Sequence, residues 1–382
     1  MEKKAEKVYC WLRTYIDENK IYNNARLPSE NVLSRKLSVS RDTIRIALSR
    51  LADEGLIQKR KGSGTYINQE RVLNYTKEEE SGLAKVGLIL QGQDRNANSA
   101  LIEGIRSVMP AEKVELCIFL TDNKFSMERR FLQTAVHSNF KGFIVDGVKA
   151  SLPNPNLDYY QQIYQKQIPV IFYNNFYKSL EFPRVIVNDR QCADRLLGLL
   201  IKAGHRNIAG IFIYDNYQSV EKFQGMITAM KRYGVEFQDD YMKWCVSNEA
   251  HDEKFAHSIE KFLKSLPRCT AVVCCNYMIY CLVKNVLKKQ GRPVPEEYSL
   301  VCFDYSGEDW VQEGVTCSIH QGYQMGVQVA VRLQKMMEKG VCEGSKYSCV
   351  MPPVIYEGRT VALLQKQSVK NNKVMQKKGR LR

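Results

Sequence analysis

Apolar positions change their spacing several times along this chain, and each change marks a boundary. From Arg26 to Ile67 the sequence reads ARLPSENVLSRKLSVSRDTIRIALSRLADEGLIQKRKGSGTYI. Pro28 and Ser29 can open a short helix, with Ser29 as N-cap. Ser38-Val39-Ser40 breaks the periodicity, and Ser40 can cap a second helix from Arg41 to about Glu54. Ile44, Leu48 and Leu51 recur there at helical spacing and should face inward. After Gly55 the pattern turns to strand character around Gly62-Ser63-Gly64, which predicts a glycine-tipped hairpin.

A different rhythm starts at Lys85. Short apolar runs, KVGLIL, VELCIF, GFIVD and PVIFY, then RVIV, NIAGIFI, TAVVCC and SLVCF, are separated by amphipathic stretches near 126–138, 189–203, 218–233, 252–265 and 277–290. Near-continuous apolar strands alternating with helices predict parallel sheets covered on both faces. The number of units exceeds one comfortable sheet, so two sequential α/β lobes are expected. The expected fold class is α/β, with a two-lobed body of parallel sheets behind a small helix-turn-helix head. The boundaries read 1–68 for the head, 69–84 for a linker containing an acidic run, 85–364 for the body and 365–382 for a basic tail. The tail has few large apolar residues and is expected to be disordered.

Charge sharpens this division. The net charge is +15. Residues 1–75 hold 15 Lys/Arg against 9 Asp/Glu, and residues 365–382 hold 7 against none, whereas 76–364 hold 34 against 32. A basic head on a nearly neutral body suits a dedicated polyanion-binding module rather than diffuse attraction. The twelve cysteines are dispersed without C-x-x-C spacing, and several lie in apolar runs, so reduced, buried thiols are expected. His251 and His257 lack zinc-ligand spacing to any cysteine, and neither a metal nor a cofactor is expected. No apolar run approaches the length of a membrane span, and the charged N-terminus does not read as a signal peptide, so a cytoplasmic protein is expected.

The head carries recognisable chemistry. Arg41, Thr43 and Arg45 open the second helix, where a recognition helix presents side chains to base edges. A hairpin with a basic stem and a small-residue tip suits contact with a phosphate backbone. The LPSE, VSR-x-TIR-x-AL, L-x-x-x-GLI and G-x-GTYI pieces, in this order, resemble the winged helix-turn-helix of the GntR family of bacterial transcription regulators. This resemblance implies binding to double-stranded operator DNA, with Ser29, Glu30, Ser40, Arg41, Thr43, Arg45, Lys61, Gly62 and Gly64 as the DNA-binding set. Gly62-x-Gly64 does not read as a nucleotide loop, because no buried strand precedes it and the third glycine is missing.

In the body, Gly204-His205-Arg206-Asn207-Ile208, the KFQGM run at 222–226, AVVCCN, PEEYSLVCFDYS and TCSIHQGYQMG resemble the LacI/GalR regulators. That resemblance implies two lobes, a hinge and a small ligand in the cleft. Strand ends supply groups suited to sugar hydroxyls. Asn174 follows VIFY, Asn276 follows VVCC and Asp304 follows LVCF, while Lys222 and His320 occupy positions that line the cleft in the resembled family. Asp189 also matches a family aspartate, although its place at a helix start fits an N-cap equally well. The family usually has Arg where Lys222 stands, and Asn-Asp where this chain has Asn276-Tyr277. The pairing of these two modules resembles that of arabinose-responsive regulators, which implies a repressor, active as a homodimer on a near-palindromic operator and released by a small sugar, L-arabinose. A different sugar or small polar metabolite is the alternative. An enzyme acting on sugar is a further alternative, but no Walker loop, complete G-x-G-x-x-G, G-x-S-x-G elbow or zinc-binding histidine pair supports it. An exported solute receptor would require a signal peptide.

Overall fold

A computed structural model of the chain describes residues 7–9, 11–12, 15, 26–53, 57–60, 63–67, 82–92, 94–249, 253–307, 310–340 and 346–364. Most of the expected linker, the whole basic tail, and the hairpin residues Lys61 and Gly62 lie outside the described residues.

The head contains α1 (Glu30–Leu37), α2 (Arg41–Asp53) and an antiparallel hairpin of β1 (Ile57–Arg60) and β2 (Gly64–Ile67). Ser29 caps α1 by accepting from the Val32 amide, and Ser38 ends that helix in the left-handed region at φ 52°. Ser40 accepts from the Thr43 amide at 3.3 Å and so starts α2. Ile44, Leu48 and Leu51 bury fully against Leu27, Leu33, Ile57 and Ile67, as their spacing required. Arg26 and Leu27 join the hairpin from outside, the Leu27 amide donating to the Thr65 carbonyl at 2.8 Å.

The chain separates into two compact units, Met1–Ile186 with Gly322–Met351, and Val187–Gln321 with Pro352–Arg382. Besides the head, the first unit holds β3 (Ala84–Leu90), α3 (Arg95–Val108), β4 (Val114–Leu120), α4 (Phe125–Val136), β5 (Phe140–Val145), α5 (Leu157–Gln165), β6 (Val170–Tyr173) and β7 (Arg184–Val187). The second holds α6 (Asp189–Lys202), β8 (Ile208–Ile213), α7 (Tyr217–Arg232), β9 (Met242–Cys245), α8 (Glu253–Lys264), β10 (Ala271–Cys274), α9 (Tyr277–Lys289), β11 (Ser299–Tyr305), α10 (Trp310–Glu313) and β12 (Cys317–Ile319). The chain then returns to the first unit for α11 (Gly322–Lys339) and β13 (Cys349–Met351), and ends its described course in the second with β14 (Ile355–Tyr356).

The strand orders are β13-β7-β6-β5-β3-β4 and β14-β12-β11-β10-β8-β9. All the core pairs are parallel, and β12–β14 is antiparallel. Two expectations are corrected here. The lobes are not sequential, because α11 and β13 return to complete the first unit. RVIV (184–187), grouped above with the later strands, pairs with β6 in the first sheet. The return is held by a close helix crossing in the first unit. A Cβ added at Gly104 of α3 would overlap the Tyr323 carbonyl of α11, and one at Gly326 would overlap the Leu101 carbonyl, so only glycine lets these backbones meet.

Candidate functional site

On α2 the side chains divide by helical spacing. Thr43, Ile44, Ala47 and Leu48 are buried, while Arg41, Asp42, Arg45, Ile46 and Ser49 face outward. Thr43 therefore departs from the base-reading role expected of it. Its hydroxyl lies 2.8 Å from that of Ser40, and the pair stiffens the helix start. Arg45 is pre-positioned. Its Nε donates to Glu30 at 2.9 Å, and Asp42 lies 3.6 Å from the guanidinium. Because Arg45 stays 58% exposed, these surface pairs are worth only about 0–1 kcal/mol and can yield to a stronger anion. Glu30 thus acts on the outward face through Arg45. Ile46 is 51% exposed beside it, an apolar group on an otherwise polar face.

In the hairpin, Gly64 has φ +125°, and a Cβ there would meet the Arg26 guanidinium at 2.6 Å. The conformation demands glycine, whereas the Arg26 side chain could swing aside. Arg60 stacks over the Tyr66 ring at 4.6 Å, and the Tyr66 and Ser63 hydroxyls lie 2.7 Å apart, so the basic stem is braced to its tip.

In the second unit, helices and strands converge on Lys222. It projects from α7, has a side chain only 3% exposed, and donates to the Asp304 carboxylate at the end of β11. It also reaches the Cys275 carbonyl at 3.3 Å and lies 3.9 Å from Asp189. Asp304 can do this because its φ of +47° interrupts the strand, coinciding with a register shift between Cys302 and Tyr305. The break lets the Phe303 ring, 5.4 Å from the Lys222 ammonium, and the Asp304 carboxylate both address the same cation. The Asp304 amide donates to Ser318 at 2.8 Å, which fixes the turn.

Asp189 proves not to be the N-cap. Asn188 takes that role by accepting from the Gln191 amide at 3.0 Å, which leaves Asp189 buried on the first helical turn. Its Oδ1 has no hydrogen-bond partner among the described residues. Burial pushes its pKa up to about 8, with Lys222 pulling the other way. Burial alone would lower Lys222, but Asp304 and Asp189 reverse this and hold the ammonium above its ordinary range. The cluster therefore offers a strong acceptor, a fixed cation, and a carboxyl able to keep its proton near neutrality.

Asn276 accepts from the Ile279 amide at 2.9 Å and caps α9, so its carbonyl oxygen is committed to the helix. Beside it the Tyr277 ring packs on Tyr305 with centroids 4.4 Å apart. His320 is half-buried and its amide donates to the Tyr305 carbonyl at 3.0 Å. His205, of the GHR run, is internal, bonded to Thr270 at 2.9 Å and to the Ala362 carbonyl at 3.1 Å. Lys222, Asp304 and Asp189 meet one another directly, while Asn276 stands at the end of β10, next in the sheet to β11. The strand order reverses beside β10, between it and β8, the kind of position where ligands collect in parallel sheets.

Asn174 belongs to the first unit. It follows β6 with φ +52°, and its amide donates to the Val185 carbonyl at 3.1 Å. That turn brings in residues the sequence reading passed over. Asn175 donates to Asp146 at 2.9 Å, and Gln91 donates to the Gly147 carbonyl. Asp146 ends the GFIVD run, so the strand-end rule that selected Asn174 and Asp304 would have found it. Burial raises its pKa to about 7, although the Asn175 bond pulls down. Among the described residues no group of His, Cys, Asp or Glu could hold a metal ion. Every described cysteine is free. No described helix is long and apolar enough to cross a membrane.

Residues 4–67 match the family model of bacterial regulatory proteins, gntR family, and residues 84–342 match that of periplasmic binding proteins and sugar binding domain of LacI family. The chain is 27% identical over 332 residues to the arabinose metabolism transcriptional repressor of Geobacillus stearothermophilus, covering 85% of this chain and 89% of that one. It is 26% identical to the repressor of the same name from Halalkalibacterium halodurans, with 89% and 90% covered. Among solved structures, transcription regulator GntR from Chromobacterium violaceum superposes with a TM-score of 0.63 at 15% identity, over 72% of this chain and 98% of that one. Transcription regulator CcpA of Lactococcus lactis gives 0.62 at 17% identity, over 73% and 99%. A head of gntR type stands before two parallel-sheet units, the second of which holds Lys222 between Asp304 and Asp189, and the chain belongs to the family of periplasmic binding proteins and LacI-type sugar-binding domains, joined to a GntR-type helix-turn-helix.

Proposed function

We propose that this chain is a sugar-responsive transcriptional repressor that binds double-stranded operator DNA as a homodimer and lets go when L-arabinose occupies the strand-end cluster. The observation that carries the sugar reading is Lys222 held between Asp304 and Asp189 at the ends of the second sheet. A polyhydroxylated ligand both donates and accepts. It can donate to Asp304, accept from Lys222, and use either face of a protonated Asp189. A dianionic ligand would meet two carboxyls, and an apolar one would leave all three groups unsatisfied. The choice of L-arabinose draws on the printed names of the two relatives. A different small sugar is the second reading, favoured by lysine at 222, because an ammonium cannot grip two hydroxyls with the planar fork of arginine.

On the DNA side, Arg41 and Arg45 lie four residues apart on the outward face of α2, so both can enter one major groove, with Arg45 placed for guanine. Ile46 offers the apolar surface that thymine methyl groups accept. The hairpin that begins its second strand at Gly64 is assigned to the phosphate backbone, together with the sequence neighbours Lys61 and Gly62. A C2 dimer would read two related half-sites.

The test is a titration of the full chain on an operator selected from random duplexes, with and without L-arabinose and then with a hexose. Asp304→Asn should hold the operator as wild type does without sugar. Charged hydrogen bonds of this kind contribute roughly 1.5–3 kcal/mol each, so the variant should need at least about ten-fold more sugar for release. Release of Asp304→Asn at the wild-type midpoint would refute the site. Release by a hexose alone would replace L-arabinose, and chemical conversion of the sugar would replace the regulator with an enzyme.

A further inference from the structure

Arg26 lies just before α1 and outside the DNA-binding set expected from the sequence, yet the fold carries it to the hairpin. It bridges to Tyr66 in antiparallel fashion, and the Leu27 amide donates to the Thr65 carbonyl at 2.8 Å, so this segment flanks β2 as a third, very short strand. Opposed residues of antiparallel strands share a face, and so do alternate residues of one strand. Arg26, Tyr66 and Gly64 therefore lie on one face with Gln58 and Arg60, their partners on β1. Ile57 and Ile67 turn the other way, into the core. Arg26, Gln58 and Arg60 are all exposed.

The two arginines run past each other over this outward face. Arg60 starts opposite Gly64 and lies over the Tyr66 ring at 4.6 Å. Arg26 starts opposite Tyr66 and folds back to Gly64, its Nε 2.6 Å and its Cζ 3.1 Å from where a Cβ would stand. Gly64 is thus the floor of a notch flanked by an arginine on each neighbouring strand. The Ser63 and Tyr66 hydroxyls, 2.7 Å apart, hold the ring beneath Arg60. Glu30 and Asp42 pair with Arg45 rather than with Arg26. Two like charges over one glycine repel, and an anion between them turns that cost into attraction. A guanidinium fits a phosphate with two parallel hydrogen bonds.

We infer that Arg26 is a DNA-binding residue, the second wall of a two-arginine seat over Gly64 that grips one phosphate of the operator backbone. This rests on the reading of the chain as an operator-binding repressor, and adds to it a contact supplied from outside the recognition helix and the hairpin. A phosphate fits better than a base edge, because a neutral base would leave both guanidinium charges unmatched. The segment 26–30 then ties this phosphate to the base-reading face. Leu27 is buried in the core, Ser29 caps α1, and Glu30 holds Arg45 at 2.9 Å. A phosphate held at Arg26 therefore sets the register of Arg45 in the groove, since phosphate contacts position and base contacts specify.

The experiment titrates full-length wild type, Arg26→Ala and Arg26→Lys on an operator selected from random duplexes and on an unrelated duplex, across a range of KCl, with a thermal melt of each protein. Arg26→Ala should melt as wild type does and bind both duplexes roughly ten-fold more weakly, as for the loss of a charged hydrogen bond. Its plot of log affinity against log salt should be shallower by about one. Arg26→Lys keeps the charge without the fork, so it should keep the wild-type slope and bind with intermediate affinity. Operators carrying one neutral methylphosphonate at a time then locate the contact. At one position the neutral group should weaken wild type roughly ten-fold and leave Arg26→Ala almost unaffected. If the alanine variant does not fold, Arg26→Lys carries this comparison, because its weaker contact should shrink the effect at that same phosphate. An unchanged salt slope in Arg26→Ala overturns the inference, as does equal sensitivity of wild type and variant to every methylphosphonate. A loss confined to one base pair of the operator also overturns it, by placing Arg26 on a base edge. A wild type that binds no duplex would remove the operator reading and the seat with it, whereas wild-type binding matched by Arg26→Ala removes the seat alone.

Discussion

Replacing Lys222 with methionine should expose how much the second unit depends on one internal cation. The substitution keeps the length and the apolar stem but takes the ammonium from between two carboxyls. The Lys222 and Asp189 side chains are 3% and 7% exposed, so water replaces the ammonium only in part. Removing one partner of a buried pair costs about 3–5 kcal/mol, a large share of the roughly 5–15 kcal/mol typical of a folded domain. Asp304→Asn removes the opposing charge, so the double variant should recover part of the loss, with a coupling of about 2 kcal/mol. The pH dependence follows from Asp189. Its folded pKa, about 8, lies above the ordinary 3.8, so between these values the folded state binds the proton more tightly. The Asp189 contribution to stability therefore falls as pH rises through that window. Lys222, raised above an ordinary 10.5, stays charged throughout it. Without Lys222 the carboxyl rises further, and the substitution should cost less at about pH 5 than at about pH 8. Urea denaturation followed by tryptophan fluorescence is the assay, since Trp244 packs at 5.7 Å on Phe212 in this unit. Additive single substitutions, with a coupling below about 0.5 kcal/mol at both pH values, would refute the role given to Lys222.

In the head, Arg45→Ala should cost roughly 1–3 kcal/mol of operator affinity and relax preference at one base, whereas Glu30→Ala, which only releases Arg45 from a surface pair, should cost about 0–1 kcal/mol. Equal effects in a competition against single-base operator variants would overturn that ranking. In the first unit, Asp146 has a folded pKa of about 7 against an ordinary 3.8, so its contribution to stability should decline as pH rises between them. Asp146→Asn should flatten that part of a thermal-melting profile, and an unchanged profile would show that Asp146 ionises normally in the folded protein.

Local patterns were enough for the head. Its helices, caps and hairpin are set by neighbours in the chain, so Ser29, Ser40, Ile44 and Leu48 occupy their expected places. Even the correction at Thr43 was legible, since residues 43 and 47 share a helical face with 44 and 48. In the body, apolar runs marked the main strands because a doubly covered parallel strand has no polar face. The same uniformity hid which sheet each strand joins. RVIV reads alike in either, and only pairing with β6 assigns it. The three residues of β13 and the two of β14 are too short to show a period, yet they complete the two sheets. Candidate chemistry divided in the same way. Strand ends selected Asn174 and Asp304, but the sequence could not tell that Asn188 would cap α6 and leave Asp189 to face Lys222, or that Asn175 would donate to Asp146. A cap depends on a few adjacent dihedrals, which the sequence encodes locally. A buried charge is decided by whichever distant groups the finished fold brings within hydrogen-bonding distance, and that is settled only when the sheets are assembled.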